Sequence, residues 1–363
     1  MNISFPTELE KIMERVEQID PHRYAHTRND IQGAVTYLSP YISRGVISTR
    51  LVWERLHARG FTVSQAEALL RELLWRDYFQ RVAQERDITN DIRQPQQGVV
   101  HRQLPQAVLD GRTGIRGIDN GIVQLMETGY MHNHVRMYVA MLCCNVAGAH
   151  WSMPARWMYY HLLDGDPASN HCSWQWVAGS NSSKKYYANQ ENISRYTHED
   201  QRQTYLDTSY EELAMMPVPE ALAQTTTWEG GCQLLPSDNI TLRQGRPTLL
   251  YNYFNLDPQW HAGEEVNRVL LLEPQWYSEW PVHPRNIEFM LALARQIPGM
   301  QVFTGSFDEF EKQYQPEEVV YKEHPSVRHY RGREESRDWI CAEVSGYYPS
   351  FFAYWKKVSR HLK

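Results

Sequence analysis

The chain has 363 residues and carries 37 lysines and arginines against 43 aspartates and glutamates, which gives a formal net charge of −6. This length suffices for two domains, and the acidic balance argues against a large, generally basic nucleic-acid interface, although a local basic patch is compatible with it. Five cysteines, an odd number without a Cys-x-x-Cys spacing, argue against a disulfide framework and against a cysteine-ligated zinc site.

The N-terminal stretch predicts short helices. Residues 5–18 have the apolar spacing of an amphipathic helix. Residues 24–48 then place Thr36, Ser39 and Gly45 on a loop ahead of a helix predicted to start near Ser48. Hydroxyls and backbone amides where a helix starts are suited to bind phosphate. Helix capping is the simpler explanation for any single serine.

The stretch SQAEALLRELLWRDYFQRVAQERD predicts a longer helix that begins with a capping box of Ser64 and Glu67. Glu72, Trp75 and Arg76 lie on adjacent faces of this helix, because they are three and four residues apart. A tryptophan at helical spacing usually belongs to the core.

Residues 128–176 carry the most distinctive chemistry of the chain. A helical pattern runs from Met131 towards Val146 and puts an amide, a guanidinium and a thioether on one face, those of Asn133, Arg136 and Met137.

A second helix is predicted from Ser152 to Leu163, and a third from Pro167, whose fixed φ suits a first helical turn. The tight turn Asp164-Gly165-Asp166 separates these two helices. Buried carboxylates and amides need partners, and an aromatic ligand with many acceptors and a sugar-phosphate tail would supply them.

The remainder of the chain has a different character. Residues 201–246 have weak periodicity and predict a linker with one short helix near 210–216. Residues 247–363 alternate strand and helix patterns and predict a small α/β domain with a C-terminal helix. The predicted domains are therefore 1–200, 201–246 and 247–363.

Two strings place the chain beside a known family. GYMHNHVRM and DGDPASNHCSWQW closely resemble the flavin-binding core of the photolyase and cryptochrome family, and TYLSPYISRG and ELLWRDYF are similar to two further strings of that family. The resemblance implies a mainly α fold, a helical FAD-binding photolyase-like domain followed by a small α/β domain. The latter is similar to the family's N-terminal antenna domain, which implies a shortened, circularly permuted arrangement.

The resemblance implies FAD as cofactor and leaves a second, antenna chromophore open. It implies neither a metal nor an iron–sulfur cluster, because the four cysteines that hold a cluster in some relatives are absent. Asn170 would stand near flavin N5, and Arg136 would pair with an ionised Asp164. The implied FAD-binding residues are Tyr24, Thr36, Leu38, Ser39, Arg76, Asn133, Arg136, Asp164, Asp166 and Asn170.

The resemblance also implies a function, light-driven repair of cyclobutane pyrimidine dimers by electron transfer from reduced FAD, the activity of a deoxyribodipyrimidine photolyase-like lyase. The lesion cavity would be formed by Glu72, Trp75, Asn133, Met137 and Trp176. Electrons would reach the flavin through Trp174 and Trp151, with Trp157, Tyr159 or Tyr160 as outer donor. Residues 89–113 form a polar stretch that predicts a surface loop and lack the outermost tryptophan of the family's electron-transfer chain. Tyr130 stands where the family usually has a tryptophan before Met-His-Asn.

Two alternatives stay open, a cryptochrome-like blue-light photoreceptor and a flavin-bound remnant without repair activity. The expected partner of the repair enzyme is UV-damaged DNA, with single strands preferred to duplex because few basic residues are available for phosphate contacts. No signal peptide and no long apolar run occur, so we expect a soluble, cytoplasmic protein that binds no membrane. We also expect a monomer.

Overall fold

The computed structural model describes residues 3–231 and 235–362, and Cys232 lies outside them. The helices are α1 (Leu9–Glu17), α2 (Pro21–Thr27), α3 (Ser39–Ser43), α4 (Thr49–Ala58), α5 (Val63–Glu85), α6 (Gln106–Leu109), α7 (Arg116–Thr128), α8 (Asn133–Met141), α9 (Ser152–His161), α10 (Pro167–Ala178), α11 (Gln190–Thr197), α12 (Tyr210–Met215), α13 (Glu220–Ala223), α14 (Pro274–Glu279), α15 (Pro284–Ala294), α16 (Phe307–Tyr314) and α17 (Phe351–Val358). The strands are β1 (Leu104–Pro105), β2 (Thr225–Thr226), β3 (Thr248–Tyr251), β4 (Asn267–Leu272), β5 (Met300–Thr304), β6 (Val319–Lys322) and β7 (Arg333–Glu335).

The chain forms two compact units. The first unit comprises Met1–Pro21, Thr36–Gln84 and Gly231–Lys363, and the second comprises His22–Val35 and Glu85–Gly230. These units do not follow the predicted boundaries at 200 and 246, because α5 packs with the C-terminal part of the chain: Asp77 accepts a hydrogen bond from the Ile340 amide at 3.1 Å. The division into domains 1–200, 201–246 and 247–363 stays a prediction.

The first unit contains a parallel sheet with the strand order β5-β4-β3-β6-β7. Its central strand β3 is buried along its whole length, as expected for a parallel strand covered on both faces. The chain moves outward from β3 to β5 and then returns to the other side of β3 at β6. The carboxyl ends of β3 and β6 therefore form a topological switch point, where such sheets usually bind ligands.

Two helix starts in the first unit differ from the prediction. The helix predicted for residues 5–18 is confined to α1, which buries Ile12 and Val16. The capping box of α5 is formed by Thr62 and Gln65, not by Ser64 and Glu67. The Thr62 amide donates to Gln65 Oε1 at 2.9 Å and the Gln65 amide donates to Thr62 Oγ1 at 3.4 Å, because the helix already begins at Val63.

The second unit is helical around a core that includes α7, α8, α9 and α10. The helix α8 continues as a single π-helical turn, Leu142–Val146, so the predicted pattern from Met131 to Val146 has a change of pitch within it. The predicted helix near 210–216 is present as α12. The segment around it is no loose linker, since Leu206, Leu213 and Leu222 are buried in this core.

Candidate functional site

The turn after α9 holds the best-defined ion pair of the second unit. Arg136 Nη2 lies 3.0 Å from both carboxylate oxygens of Asp164, and Arg136 Nε donates to the Met131 carbonyl at 2.9 Å. The turn is tight: a Cβ atom added at Gly165 would lie 2.9 Å from the Tyr159 carbonyl oxygen. The structure thus brings together the two residues whose pairing the resemblance implies, and it buries the Asp164 side chain.

Asp166, in the turn, and Asn170, in the helix that follows, both form hydrogen bonds with the protein. Asp166 caps α10 by accepting from the Ser169 amide at 2.7 Å. Asn170 Nδ2 donates to the Ala155 carbonyl at 2.8 Å. Beside it, burial together with the Arg156 charge lowers the pKa of His171 to about 3, so the imidazole is neutral. Asp166 and Asn170 are both buried and held in place.

Helix α8 carries the predicted face of Asn133, Arg136 and Met137. Asn133 is exposed at its first position, and Met137 is half-buried one turn later. The preceding His132 was not singled out by the sequence. Its Nδ1 accepts from the His134 amide at 3.2 Å, and burial lowers its pKa to about 4. His132 Nε2 is buried and has no hydrogen-bond partner among residues 3–231 and 235–362.

The indoles predicted to carry electrons are deeply placed. Trp151, Trp157 and Trp174 are all buried. The Trp151 indole Nε1 donates to Asp91 Oδ1 at 2.7 Å, and its backbone amide donates to Gln96 Oε1 at 2.9 Å. The stretch 89–113 was predicted only as a surface loop, so this contact is one that sequence reasoning missed.

A line of rings runs from Trp157 to the surface. The Trp157 and His161 ring centroids are 5.5 Å apart, those of His161 and Tyr160 are 5.0 Å apart, and those of Tyr160 and Trp228 are 5.2 Å apart. Trp157 itself is fully buried, which does not suit an outer donor that meets a reductant in solution. Tyr160 and Trp228 are half-buried and suit that role better. Trp228 was not considered from the sequence, and Tyr159, another candidate, is buried.

The first unit holds the remaining predicted cofactor residues except Tyr24, which lies half-buried on α2 in the second unit. Thr36 Oγ1 accepts from the Leu38 amide at 3.4 Å, and Ser39 begins α3. At the end of that helix, Ser43 accepts from Arg76 Nη1 at 2.7 Å. The structure therefore ties Arg76 to the segment that carries the three predicted phosphate-side residues.

The two predicted walls of the lesion cavity have different surroundings. The Trp75 ring stacks face to face on Phe351 of α17, with centroids 3.9 Å apart and planes 11° apart, and Glu72 lies half-buried one turn earlier on α5. Trp176, in the second unit, is 37% exposed and has Tyr186 as a tilted neighbour at 5.8 Å. A ring of the chain itself thus covers a face of one wall, whereas the other wall is partly open to solvent.

Comparison with known proteins identifies the fold. A sequence model described as the FAD-binding domain of DNA photolyase matches residues 69–238. The matched part of the chain is therefore similar to the photolyase and cryptochrome family. Deoxyribodipyrimidine photo-lyase of Alkalihalophilus pseudofirmus is 29% identical over 187 residues, which cover 50% of this chain and 39% of that protein. Cryptochrome DASH of Solanum lycopersicum is 33% identical over 168 residues, which cover 43% of this chain and 29% of that protein.

The match to this family is partial in length. The chain spans 28% to 48% of the length of these and similar curated relatives. A solved Synechocystis sp. PCC6803 cryptochrome aligns with 61% of this chain and 49% of its own, at 26% identity and a TM-score of 0.47. The predicted fold class, a helical photolyase-like FAD-binding part with a small α/β part, is confirmed by the family match and by the parallel sheet.

Side chains of the second unit fit FAD, the cofactor that the matching sequence model names. Ser169 Oγ is buried and lacks a hydrogen-bond partner in the described parts of the chain. Asn133 is exposed, and 21% of the Arg136 side chain stays exposed beside its ion pair. Hydroxyl, amide and guanidinium donors suit the carbonyl oxygens and ring nitrogens of a flavin.

A separate cavity of about 430 Å³ lies in the first unit. It is lined by residues after β3 and β6 at the switch point, by residues 42–54, by Asp77 and by residues 337–339, and the predicted site residues are not among them. Its carboxylates outnumber its lysines and arginines, and Lys322 lies 3.1 Å from Asp257 and 2.9 Å from Asp338. This charge disfavours a phosphorylated ligand.

One group of potential metal ligands occurs in the described part of the first unit. Cys341, Glu343 and His361 place their ligand-type atoms within 4.8 Å of one another. The Cys341 thiol donates to Glu343 at 3.4 Å, and burial together with this carboxylate raises its pKa to about 11. The thiol is therefore protonated at neutral pH, and a thiol–carboxylate hydrogen bond explains the grouping.

None of the described helices is long and apolar enough to span a bilayer.

Proposed function

We propose that the protein is a light-driven DNA repair enzyme that splits cyclobutane pyrimidine dimers with an electron from reduced FAD. The observation that carries this proposal is the face of α8, where Asn133 and Met137 flank the Arg136–Asp164 pair. The ion pair has the identity expected beside the flavin, and the two flanking residues match a pyrimidine-dimer site. Relatives named deoxyribodipyrimidine photo-lyase support the same assignment.

Bound FAD, once reduced and excited by light, would supply one electron to the lesion. The protein's part is to bind and orient. Trp176 offers a partly exposed ring on which a flipped base stacks, a contact typically worth roughly 1–3 kcal/mol. Asn133 donates to or accepts from the damaged bases, and Met137 packs against them; Glu72 is a further proposed hydrogen-bonding residue. Asn170 and Arg136 would help to hold the flavin, and their N–H donors would favour negative charge on it.

The face of Trp75 that Phe351 covers is not available to a base while α17 holds its position. Within this proposal, Trp176 therefore provides the first stacking surface, and a base reaches that face of Trp75 only after α17 shifts. This covered face is also the observation that favours the second candidate function, a cryptochrome-like photoreceptor. Cryptochrome DASH proteins are as similar to the chain as the photolyases are.

The proposal extends to partners and architecture. The DNA partner is UV-damaged and preferably single-stranded, because a flexible strand is easier to unstack and the chain is acidic. We further propose that the protein acts in the cytoplasm as a monomer, and that the α/β part is a shortened antenna domain moved behind the flavin domain by circular permutation.

Photorepair of a defined lesion tests the proposal directly. The FAD-loaded, reduced protein is illuminated with an oligonucleotide that contains one thymine dimer, as single strand and as duplex, and the restored thymines are quantified. We expect repair, faster on the single strand. Trp176→Ala should weaken dimer binding by roughly 1–3 kcal/mol while FAD content stays unchanged. FAD binding and photoreduction without any restored thymine would reject repair and leave the photoreceptor and the flavin-bound remnant as the remaining functions.

A further inference from the structure

The loop that follows α5 holds Trp151 at two points. Asp91 Oδ1 accepts from the Trp151 indole at 2.7 Å, and Gln96 Oε1 accepts from its backbone amide at 2.9 Å. Asp91 Oδ2 in turn accepts from the Gln96 amide at 3.0 Å. The indole is fully buried, whereas the Asp91 side chain is 21% exposed. A single carboxylate thus connects the buried indole nitrogen with solvent.

This carboxylate is held in position by α10. Gln175, fully buried, donates to the Ile88 and Asn90 carbonyls at 3.1 and 3.0 Å and accepts from the Ile92 amide at 2.9 Å. The residues on either side of Asp91 are therefore fixed. A backbone carbonyl would satisfy an indole N–H equally well, but only a carboxylate is also a base.

We propose that Asp91 is the proton acceptor of Trp151 during photoreduction of the flavin. One electron leaves the Trp151 ring towards light-excited, oxidised FAD. The Nε1–H bond then breaks, its electron pair stays on nitrogen, and the proton moves to Asp91 Oδ1. Trp151 becomes a neutral radical and Asp91 a neutral acid, so the positive charge left on the indole by the lost electron is removed together with the proton.

The proton shift prolongs charge separation. A tryptophan radical cation buried without a counter-charge is unfavourable, and the electron returns readily to it. After the proton has moved, the return of the electron also requires the return of the proton. One electron from an external thiol later reaches the radical by way of the outer donor of the relay, and Asp91 gives the proton back to Nε1.

The other titratable groups around this pair do not take over the role. His150 Nε2 lies 3.9 Å from Asp91 Oδ2, and burial together with Arg102 lowers the pKa of His150. His171 packs edge-on against Trp151 at 5.4 Å and is neutral at pH 7. Neither ring forms a hydrogen bond with the indole nitrogen, because Asp91 accepts its proton.

The inference rests on the proposed relay role of Trp151, and the variant Asp91→Asn tests it. Asparagine keeps an acceptor oxygen but is not a base. In FAD-loaded protein, a laser flash should produce the neutral tryptophan radical in the unmodified chain and the radical cation in Asp91→Asn. The radical of the variant should decay faster by about 100-fold, the lower end of what a positioned proton transfer contributes. Asp91→Glu should restore part of the lifetime.

Controls separate this inference from the proposed function. Asp110→Asn removes an exposed carboxylate that only accepts from Gln106 and should change nothing. Near-ultraviolet circular dichroism of the flavin-free Asp91→Asn protein should match that of the unmodified chain. If Trp151→Phe leaves photoreduction unchanged, the relay and the inference both fail. If Trp151→Phe slows it but the radical in Asp91→Asn is unaltered, only the inference fails.

A measurement on the unmodified chain covers the case in which Asp91→Asn does not fold. Formation of the neutral radical should slow in deuterium oxide, because the transferred proton is exchangeable. A radical cation that persists without deprotonation in the unmodified protein would overturn the inference.

Discussion

The turn at Asp164 and the helix α5 both carry strings that resemble the same family, yet the structure completes them in different ways. At the turn, Asp164 finds its partner Arg136 only 28 residues away. On α5, Asp77 accepts from the Ile340 amide and Tyr78 donates to the Tyr348 carbonyl, across 263 and 270 residues. The side chains of the Asp164 turn thus bind a nearby part of the chain, whereas those of α5 bind a part of the chain that is distant in sequence.

The comparison is sharpest for the two carboxylates. Asp164 and Asp77 are almost equally buried, with 5% and 4% of the residue exposed. Asp164 faces a guanidinium through both oxygens, whereas Asp77 accepts from the neutral Thr49 hydroxyl at 2.8 Å and from a backbone amide. Burial raises the pKa of Asp77 despite these hydrogen bonds and the Arg337 and Arg81 charges nearby. Equal burial therefore does not imply equal electrostatics.

The largest effect is expected at the ion pair. Asp164→Ala leaves a partly buried guanidinium without its carboxylate, and removing one partner of a buried pair typically costs about 3–5 kcal/mol. The free energy of unfolding in urea should fall by that amount, and FAD content should fall with it. As a control, Asp200→Ala removes a carboxylate that is almost fully exposed and should change stability by less than about 0.5 kcal/mol. An equally small loss for Asp164→Ala would show that the pair does not stabilise the turn.

An intermediate effect is expected at Asp77, and it depends on pH. The folded-state pKa lies above the unfolded value, so the stability that the protonated carboxyl contributes is present at low pH and is lost as the pH rises through the folded pKa. In Asp77→Asn this part of the pH dependence should disappear, at a cost of about 1–3 kcal/mol at low pH for a poorly matched hydrogen bond.

Urea unfolding of both proteins from pH 4 to pH 8 measures this difference. Asp308→Asn, which removes a mostly exposed carboxylate, is the matched control and should retain the pH profile of the unmodified chain. A profile of Asp77→Asn that runs parallel to that of the unmodified chain would contradict the pKa shift.

The sequence predicted what depends on neighbouring residues. The helices around the Asp164 turn, the strands from β3 to β6 and the shared face of Asn133 and Met137 follow from spacing and from proline positions. The start of α5 was misplaced by two residues because Thr62-x-x-Gln65 and Ser64-x-x-Glu67 both have the pattern of a capping box, and only the backbone decides between them.

Contacts between distant segments could not be predicted in this way. Nothing in the polar stretch 89–113 indicates that Asp91 accepts from Trp151, since the two residues are 60 positions apart. The stacking of Phe351 on Trp75 is a second case. The pattern FFAYW predicts a helix with an apolar face, but not which ring that face covers. These two contacts determine how the predicted functional tryptophans can act.

The smallest effect is expected from the Trp75–Phe351 stack. A double-mutant cycle with Trp75→Leu and Phe351→Leu should give a coupling energy of about 0.5–1.5 kcal/mol, the usual value for an aromatic pair beyond its buried area. Phe351→Leu should leave FAD content unchanged, because it replaces one apolar side chain by another. If a base must reach this face of Trp75, the same variant should bind a dimer-containing single strand more tightly than the unmodified chain, since the competing ring is gone. Suppose that the affinity for the single strand is unchanged while Trp75 and Phe351 show the expected coupling energy. The stacked face of Trp75 would then belong to the core of the first unit, and Trp176 would be the wall on which a base stacks.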